Sequence, residues 1–417
     1  MDGLFVVASL LVICLGLAAQ GTSDSLAWQT AVSPPASGGY GEGIVGTGSA
    51  LFIARCLYAS SSPEFYRYEA SSEEWFVASV AGLPDGAFRT GTALAWDGSH
   101  YVYALCGARY GDTNRRDFFR FDADSQEWLR LNDTPHAQGA GNAVTWSRYD
   151  HKLYALIGSA KHSGGTSMFA AYDPATDTWS ELQRPWINTD DGASLAWTGG
   201  KFIYALRGEY NEMLPTGDFA RYDIATESWE DLSPLPDQEG VGDGGSLIWI
   251  GEWEPERSDT LYALSGGSVA EDPGYKVFTH SISEGSWTQD SDIPCPVGFY
   301  VGNRLAYAEG RIYCWQGSPQ SLRWECSGRA LYAAEIGSGS SEDSCSECLE
   351  RLNSASKSQF EDVHGIGDVK ASALVAAQPF SVAICSANSI EAALDAVNGI
   401  GETLRERIAR YFCPELY

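Results

Sequence analysis

The stretch Lys152–Trp179, KLYALIGSAKHSGGTSMFAAYDPATDTW, decides the fold. It holds an apolar run, a glycine-bearing loop, a second strand ending in Tyr172, and a turn, Asp173-Pro174-Ala175-Thr176-Asp177, that leads to Trp179. Apolar strands of the same kind run through Phe52–Arg55, Val102–Leu105, Leu153–Ile157, Phe202–Leu206, Leu261–Leu264 and Ile312–Trp315. Within them Tyr103, Tyr154, Tyr204, Tyr262 and Tyr313 recur at intervals of 51, 50, 58 and 51 residues. An earlier strand precedes each, with Trp96, Trp146, Trp197 and Trp249 spaced 50, 51 and 52 apart and Tyr307 next in line. A period near 50 signals a propeller or a solenoid.

The third strand of each unit brings an aromatic pair at constant spacing: Tyr68 and Trp75, Phe121 and Trp128, Tyr172 and Trp179, Tyr222 and Trp229, with His280 taking the first place before Trp287. Such a pair brackets a hairpin corner and can pack against the neighbouring sheet. A short polar strand follows every Trp and ends near proline, at Pro84, Pro135, Pro185, Pro236 and Pro294. Proline cannot donate to a ladder and so belongs at an outer edge. Each unit therefore reads as a four-stranded sheet. The sixth copy, Arg311–Trp315 and Leu331–Ile336, lacks its fourth strand, and Leu26–Thr30 reads as an outer strand with no unit of its own. The expectation is an all-β six-bladed propeller over 26–336, closed by the N-terminal strand completing the last blade so that no edge stays open.

These features resemble the Kelch-type β-propeller. The chain departs from that pattern in the glycines after the second strand: the double glycine stands only at Gly266-Gly267, with Gly107, Gly158, Gly208 and Gly317 single and Cys56 in the first copy.

Composition changes at Gly337. Residues 337–346 read as a flexible linker, and 347–417 as a small all-α domain without the Trp and turn prolines of the repeats. Two copies of one pattern lie in it, Phe360–Leu374 and Leu394–Ile408, 34 residues apart, each centred on Gly-Ile-Gly. The glycines allow a tight reversal, the isoleucine plugs the gap between helices, and the second helix turns its free N–H groups outward as an anion site. With the lead-in Leu352-Asn353-Ser354-Ala355-Ser356, the tail resembles a ComEA-like tandem helix-hairpin-helix domain. That resemblance implies sequence-independent binding of duplex DNA through Gly365, Ile366, Gly367, Gly399, Ile400 and Gly401, with Lys370 and Arg405 as nearby cations. The tail nevertheless carries six basic against ten acidic residues, so few phosphates can be neutralised; docking or oligomerisation is the alternative role.

The whole chain, 27 Lys+Arg against 55 Asp+Glu for a net charge of −28, argues against a global nucleic-acid-binding face. Its first 21 residues contain the apolar run LFVVASLLVICLGLAA and read as a secretory signal, which implies a secreted, periplasmic or cell-surface protein without stable membrane insertion after cleavage; a signal anchor is the alternative. Of ten cysteines, Cys14 would leave with the signal, and an odd remainder implies a free or intermolecular thiol. Cys345, Cys348, Cys385 and Cys413 fit two disulfides in an oxidising compartment better than zinc. Six scattered histidines give no pattern for a copper or zinc centre, and no metal or cofactor is expected.

Loops after the second strand and those entering the first share one face of a propeller. They carry Arg55, Arg89, Arg109, Arg115, Arg116, His136, Lys161, His162 and Arg207, mixed with Asp190, Asp191, Glu209 and Asp243. Arg55, Arg109, Arg207 and Glu209 are the candidate ligand contacts there, for a protein or glycan partner. No nucleophile with an adjacent base, paired-carboxylate pattern or phosphate loop is visible, so the reading is a non-enzymatic binding protein. Carboxylates converging at the channel mouth would favour the alternative, a glycan-active hydrolase or oxidase.

Overall fold

The computed structural model describes residues 25–36, 42–55, 62–108, 114–158, 166–210, 214–236, 240–266, 276–294, 304–316 and 330–336, and in the tail 351–361, 363, 366–378, 394, 397, 404, 405, 407 and 408. One compact unit spans Leu26–Ile336, and the helical tail belongs to another.

The first unit is a six-bladed β-propeller of antiparallel four-stranded sheets. The opening stretch supplies three strands of blade 3: Lys152–Ile157, Met168–Asp173 and the start of Thr178–Leu182, with Ala143–Ser147 as the innermost. The other innermost strands are Gly43–Gly46, Ala93–Trp96, Ser194–Trp197, Ser246–Trp249 and Arg304–Ala308. Ring closure is as expected: Trp28–Thr30 pairs antiparallel with Leu331–Glu335, in the register Trp28 to Ala334 and Thr30 to Tyr332. Ala31 extends that ladder, its N–H donating to Leu331 O at 2.7 Å. The last blade therefore ends on a strand from the other end of the chain, and the ring needs no exposed terminal edge.

The aromatic pairs explain how blades adhere. Tyr172 and Trp179 are directly opposite across their hairpin. Trp179 packs edge-on against Phe118 of the preceding blade, centroids 5.0 Å apart, and its indole N–H donates to Asn132 O at 3.3 Å. The arrangement repeats: Trp128 donates to Ser79 O, Trp229 to Gln183 O and Trp287 to Ser233 O, at 2.9, 2.7 and 3.0 Å. Each tryptophan so combines a large apolar area with one directional bond to the blade before it. At the corner between the pair, Asp177 adopts φ 52°, and its Oδ1 accepts from the Tyr172 hydroxyl at 2.8 Å and the Asn132 N–H at 3.0 Å. Aspartate tolerates this left-handed conformation because its side chain bonds locally.

Blade 5 replaces the first aromatic by His280, which is 1% exposed and lies 4.9 Å from Phe219 and 4.7 Å from Trp287. Burial holds its pKa down at about 4, with Asp259 opposing.

The tail contains the helices Lys357–Glu361 and Asp368–Ala377 after a helical turn at 351–354. Ser356 opens the first with a capping box: its Oγ accepts from Gln359 N–H at 3.4 Å, while Gln359 Oε1 accepts from Ser356 N–H at 2.9 Å. One core holds Leu352, Ala355, Phe360, Val363, Ile366, Ala371, Leu374, Leu394, Val397 and Ile408. Phe360 and Leu394, Val363 and Val397, and Leu374 and Ile408 occupy equivalent places in the two sequence copies, and each pair is buried in it. The two copies thus share a hydrophobic centre.

His280 makes the propeller acid-sensitive. Its unfolded pKa is near 6.5 and its folded pKa about 4, so the unfolded chain binds the proton more tightly and stability falls as pH drops through that window. His280→Tyr, which matches Tyr68, Tyr172 and Tyr222 of three other copies, is expected to recover on the order of 2–3 kcal/mol near pH 4, measured by denaturant unfolding across pH.

Candidate functional site at the channel mouth

The N-terminal ends of the innermost strands and the C-terminal ends of the second strands meet at one mouth of the axial channel. Backbone sterics fix the contacts there. Gly208 has φ +74°, and a Cβ on it would lie 2.4 Å from Asp191 O. That close approach lets Glu209 N–H donate to Asp191 O at 2.9 Å and Asp190 N–H to Glu209 O at 3.0 Å. Two acidic side chains from separate strand ends are thereby held side by side. In blade 5 Asp243 stands where blade 4 has Asp191, directly before the glycine that leads into the innermost strand.

Asp191, Glu209 and Asp243 converge, with one carboxylate oxygen of each within 4.8 Å of the others, and all three are buried. Glu42, entering blade 1, is also fully buried, at 0% exposure. Arg304, from blade 6, faces Asp191, Glu42 and Asp243, and its Nη1 donates to Gly245 O at 2.8 Å. Burial pulls the Arg304 pKa below the ordinary arginine value, and those three carboxylates oppose the shift. Since its partners come from blades 1, 4 and 5, the guanidinium bridges the mouth. The positions equivalent to Arg304 in the other innermost strands are Gly43, Ala93, Ala143, Ser194 and Ser246, so only this copy places a cation there.

Beyond this ring the channel forms a cavity of about 180 Å³, bordered by all six innermost strands. Such a site offers hydroxyl-accepting carboxylates and one fork-shaped donor at the head of a recess. Three oxygen donors this close could also hold a hard cation.

Of the contacts read from the sequence, Glu209 is in the cluster. Arg55 pairs with Glu64 at 2.6 Å, a carboxylate that also accepts from the Tyr66 hydroxyl, and is 9% exposed. Arg207 donates to Asn188 O at 2.9 Å and to Asp218 at 2.8 Å within its own blade, and so braces that blade's loops. Arg109 lies outside the described residues, as do Lys161 and His162. Arg115 donates to Gly86 O and Ala87 O, and Arg116 to Pro135 O. In the tail Ile366 is buried and Gly367 caps the helix Asp368–Ala377, with Lys370 in its first turn. Arg405 is half-buried at the place equivalent to buried Ala371 rather than Lys370, so the two cations are not counterparts. Gly365, Gly399, Ile400 and Gly401 lie outside the described residues, as do Cys345, Cys348, Cys385 and Cys413. Among the described residues no helix is long and apolar enough to cross a membrane.

The carboxylate convergence and Arg304 were missed as a site. Asp191 and Asp243 were legible as loop acids, but only the repeat alignment, read position by position, would have shown both preceding equivalent glycines and Arg304 replacing small residues.

No protein-family model and no curated protein matches the chain. Among solved structures it is similar to the structure of YjhT, at 14% identity and a TM-score of 0.55, over 73% of this chain and 96% of that one. At that identity the likeness shows the fold, a β-propeller.

Removing Arg304 leaves its carboxylates facing one another. Arg304→Met is expected to cost about 3 kcal/mol at neutral pH. Thermal melts of both proteins check this.

Proposed function

We propose that this chain is an exported Kelch-type propeller that binds a glycan at its channel mouth and carries a tandem helix-hairpin-helix tail that binds duplex DNA without sequence preference. The observation that supports the glycan reading is the convergence of Asp191, Glu209 and Asp243 beside Arg304 at the head of a recess. Carboxylates accept from sugar hydroxyls, the guanidinium donates to ring and hydroxyl oxygens, and a narrow recess selects a small ligand over a flat protein face. Binding of neutral mono- and oligosaccharides, measured by calorimetry and on a glycan array, tests it. Asp191→Asn, Glu209→Gln and Asp243→Asn should each weaken binding by about tenfold or more while preserving shape. A wild-type protein that binds no saccharide ends the proposal.

One observation favours a glycan-active enzyme on the same site. Carboxylate oxygens within 4.8 Å of one another approach the separation of about 5–5.5 Å at which a nucleophile and a general acid work together in retaining glycoside hydrolysis. Release of a chromophore from aryl glycosides, lost in the Glu209→Gln protein, would select that reading.

For the tail, the shared core of the two copies and the open space at Gly367, where a Cβ would meet nothing within 4 Å, support the DNA reading. A phosphate can approach such a helix start closely. Asp368 in the first turn is ion-paired to Lys357, which offsets its repulsion of phosphate. The full chain is expected to retard duplex DNA at low salt regardless of sequence, Lys370→Glu to weaken this, and added salt to abolish it. No mobility shift at low salt would sink the proposal.

A further inference from the structure

The end of the channel away from the carboxylates is spanned by a segment from blade 5. Between Ser246–Trp249 and Thr260–Leu264 the chain makes an excursion of ten residues, 250–259, where blade 2 turns in four, 97–100, and blade 6 in two, 309–310. This strap is internally organised: Trp253 and Glu254 N–H both donate to Ile250 O at 2.9 Å, and Pro255–Arg257 forms a 3₁₀ turn.

From blade 5 the strap reaches both ways round the axis. On one side Trp253 stacks on Tyr307 of blade 6, centroids 5.0 Å apart and planes 11° from parallel, and Glu254 Oε1 accepts from the Tyr307 hydroxyl at 2.5 Å. The same indole lies against Gly48 of blade 1, where a Cβ would come within 2.6 Å of Nε1. On the other side Glu252 pairs with Arg148 of blade 3, whose guanidinium lies over Gly98 of blade 2. Trp249, at the root of the strap, meets blade 4, where a Cβ on Gly199 would lie 2.7 Å from its ring. All six blades are thus tied into one layer. Arg148, Glu252 and Trp253 of that layer border the cavity whose other end is Arg304, so the layer is its floor.

Size and walls restrict what this space can hold. At about 180 Å³ it is little larger than the cavity of about 150 Å³ that admits a single benzene ring. One six-membered ring fits, and two linked rings do not. Near the mouth the wall carries the polar Asn142, Ser194 and Ser246. Toward the floor it is formed by Trp96, Trp146, Trp197 and Trp249, which hold the same position in the innermost strands of four successive blades. Indoles offer flat apolar area to the C–H face of a sugar ring, and amide and hydroxyl groups match its hydroxyls.

We propose that the channel is a blind recess that takes one terminal sugar unit, so that the ligand is a monosaccharide or the free end of a chain and not an internal segment. A chain threaded through the ring would have to leave by the far end, where the strap and the Arg148–Glu252 pair stand in its path. The recess selects a terminal unit only if the ligand is a glycan, the reading on which this proposal rests.

A neutral glycan array probed with the full chain, followed by calorimetry with the free terminal monosaccharide of each bound glycan, tests it. Bound glycans should share their terminal unit whatever lies beneath it. Capping that unit with one further, different sugar should weaken binding by about tenfold or more, and the free monosaccharide should bind within about threefold of the whole glycan. Trp96→Ala, which spares the indole bonds of Trp197 to Gly200 O and of Trp249 to Ser258 O, should weaken monosaccharide binding by about tenfold. Bound glycans that share only an internal unit, a monosaccharide that does not bind, or a folded Trp96→Ala protein that binds like wild type overturns the proposal and leaves the glycan reading standing. An array with no bound glycan ends both. The array and the calorimetry use wild-type protein, so they decide the question even if the variant does not fold.

Discussion

The structure depends on one repeated interaction, an indole from the outer strand of each blade set against the sheet before it. A β-sheet blade has two apolar faces and cannot bury either alone; adjacent blades must bury them together. The tryptophan adds direction to that burial. In blades 2 to 5 its ring meets a phenylalanine of the neighbour and its N–H meets a carbonyl where that neighbour's outer strand ends, as Trp179 does with Phe118 and Asn132. The carbonyl fixes how far one blade can slide on the next, which apolar packing by itself would leave loose. In the closing interface Trp75 contacts Trp315 and donates to Val32 O at 3.2 Å, so the same device operates where the two ends of the ring meet.

Once blades are locked in register, a position in one copy has a fixed counterpart in the others, and chemistry can be placed by changing single copies. The mouth follows this logic. Equivalent positions hold Thr90, Ala140, Asp191 and Asp243, so acid appears on two neighbouring blades only. Arg304 replaces a small residue on the next blade round the ring. Close packing of backbone against backbone, as at Gly208 and Asp191, keeps these side chains from spreading apart to relieve their repulsion. The carboxylates therefore stay together because of the ring, and the guanidinium offsets part of the cost.

This division also accounts for what the sequence could disclose. Period, aromatic pairs and the orphan strand Leu26–Thr30 are local patterns repeated several times, and they led to blade number and closure. The site is the opposite kind of feature: Glu42, Asp191, Glu209, Asp243 and Arg304 are unrelated in local pattern and meet only after closure brings blades 1 and 6 together. Arg55 and Arg207, read from the sequence as loop-face contacts, form ion pairs with Glu64 and Asp218 of their own blades, which a loop charge pattern does not disclose. The strap escaped notice because its proline and charges look like an ordinary turn, and its length shows only as the interval of 58 residues between Tyr204 and Tyr262.

Acid acts on the ring and on its channel in opposite senses. His280 is a base buried between blades 4 and 5, so acid places an unfavourable charge in an interface that holds the ring together. Glu252 and Glu254 are acids buried at the strap, where protonation removes an unfavourable charge. A single curve of stability against pH therefore sums terms of opposite sign. Separating them requires local measurements: the blade interface holds one imidazole and the strap two buried carboxyls, and the two are joined through Asp259, which acts on His280, and through Thr260–Leu264, the strand that follows the strap and pairs with the His280 strand.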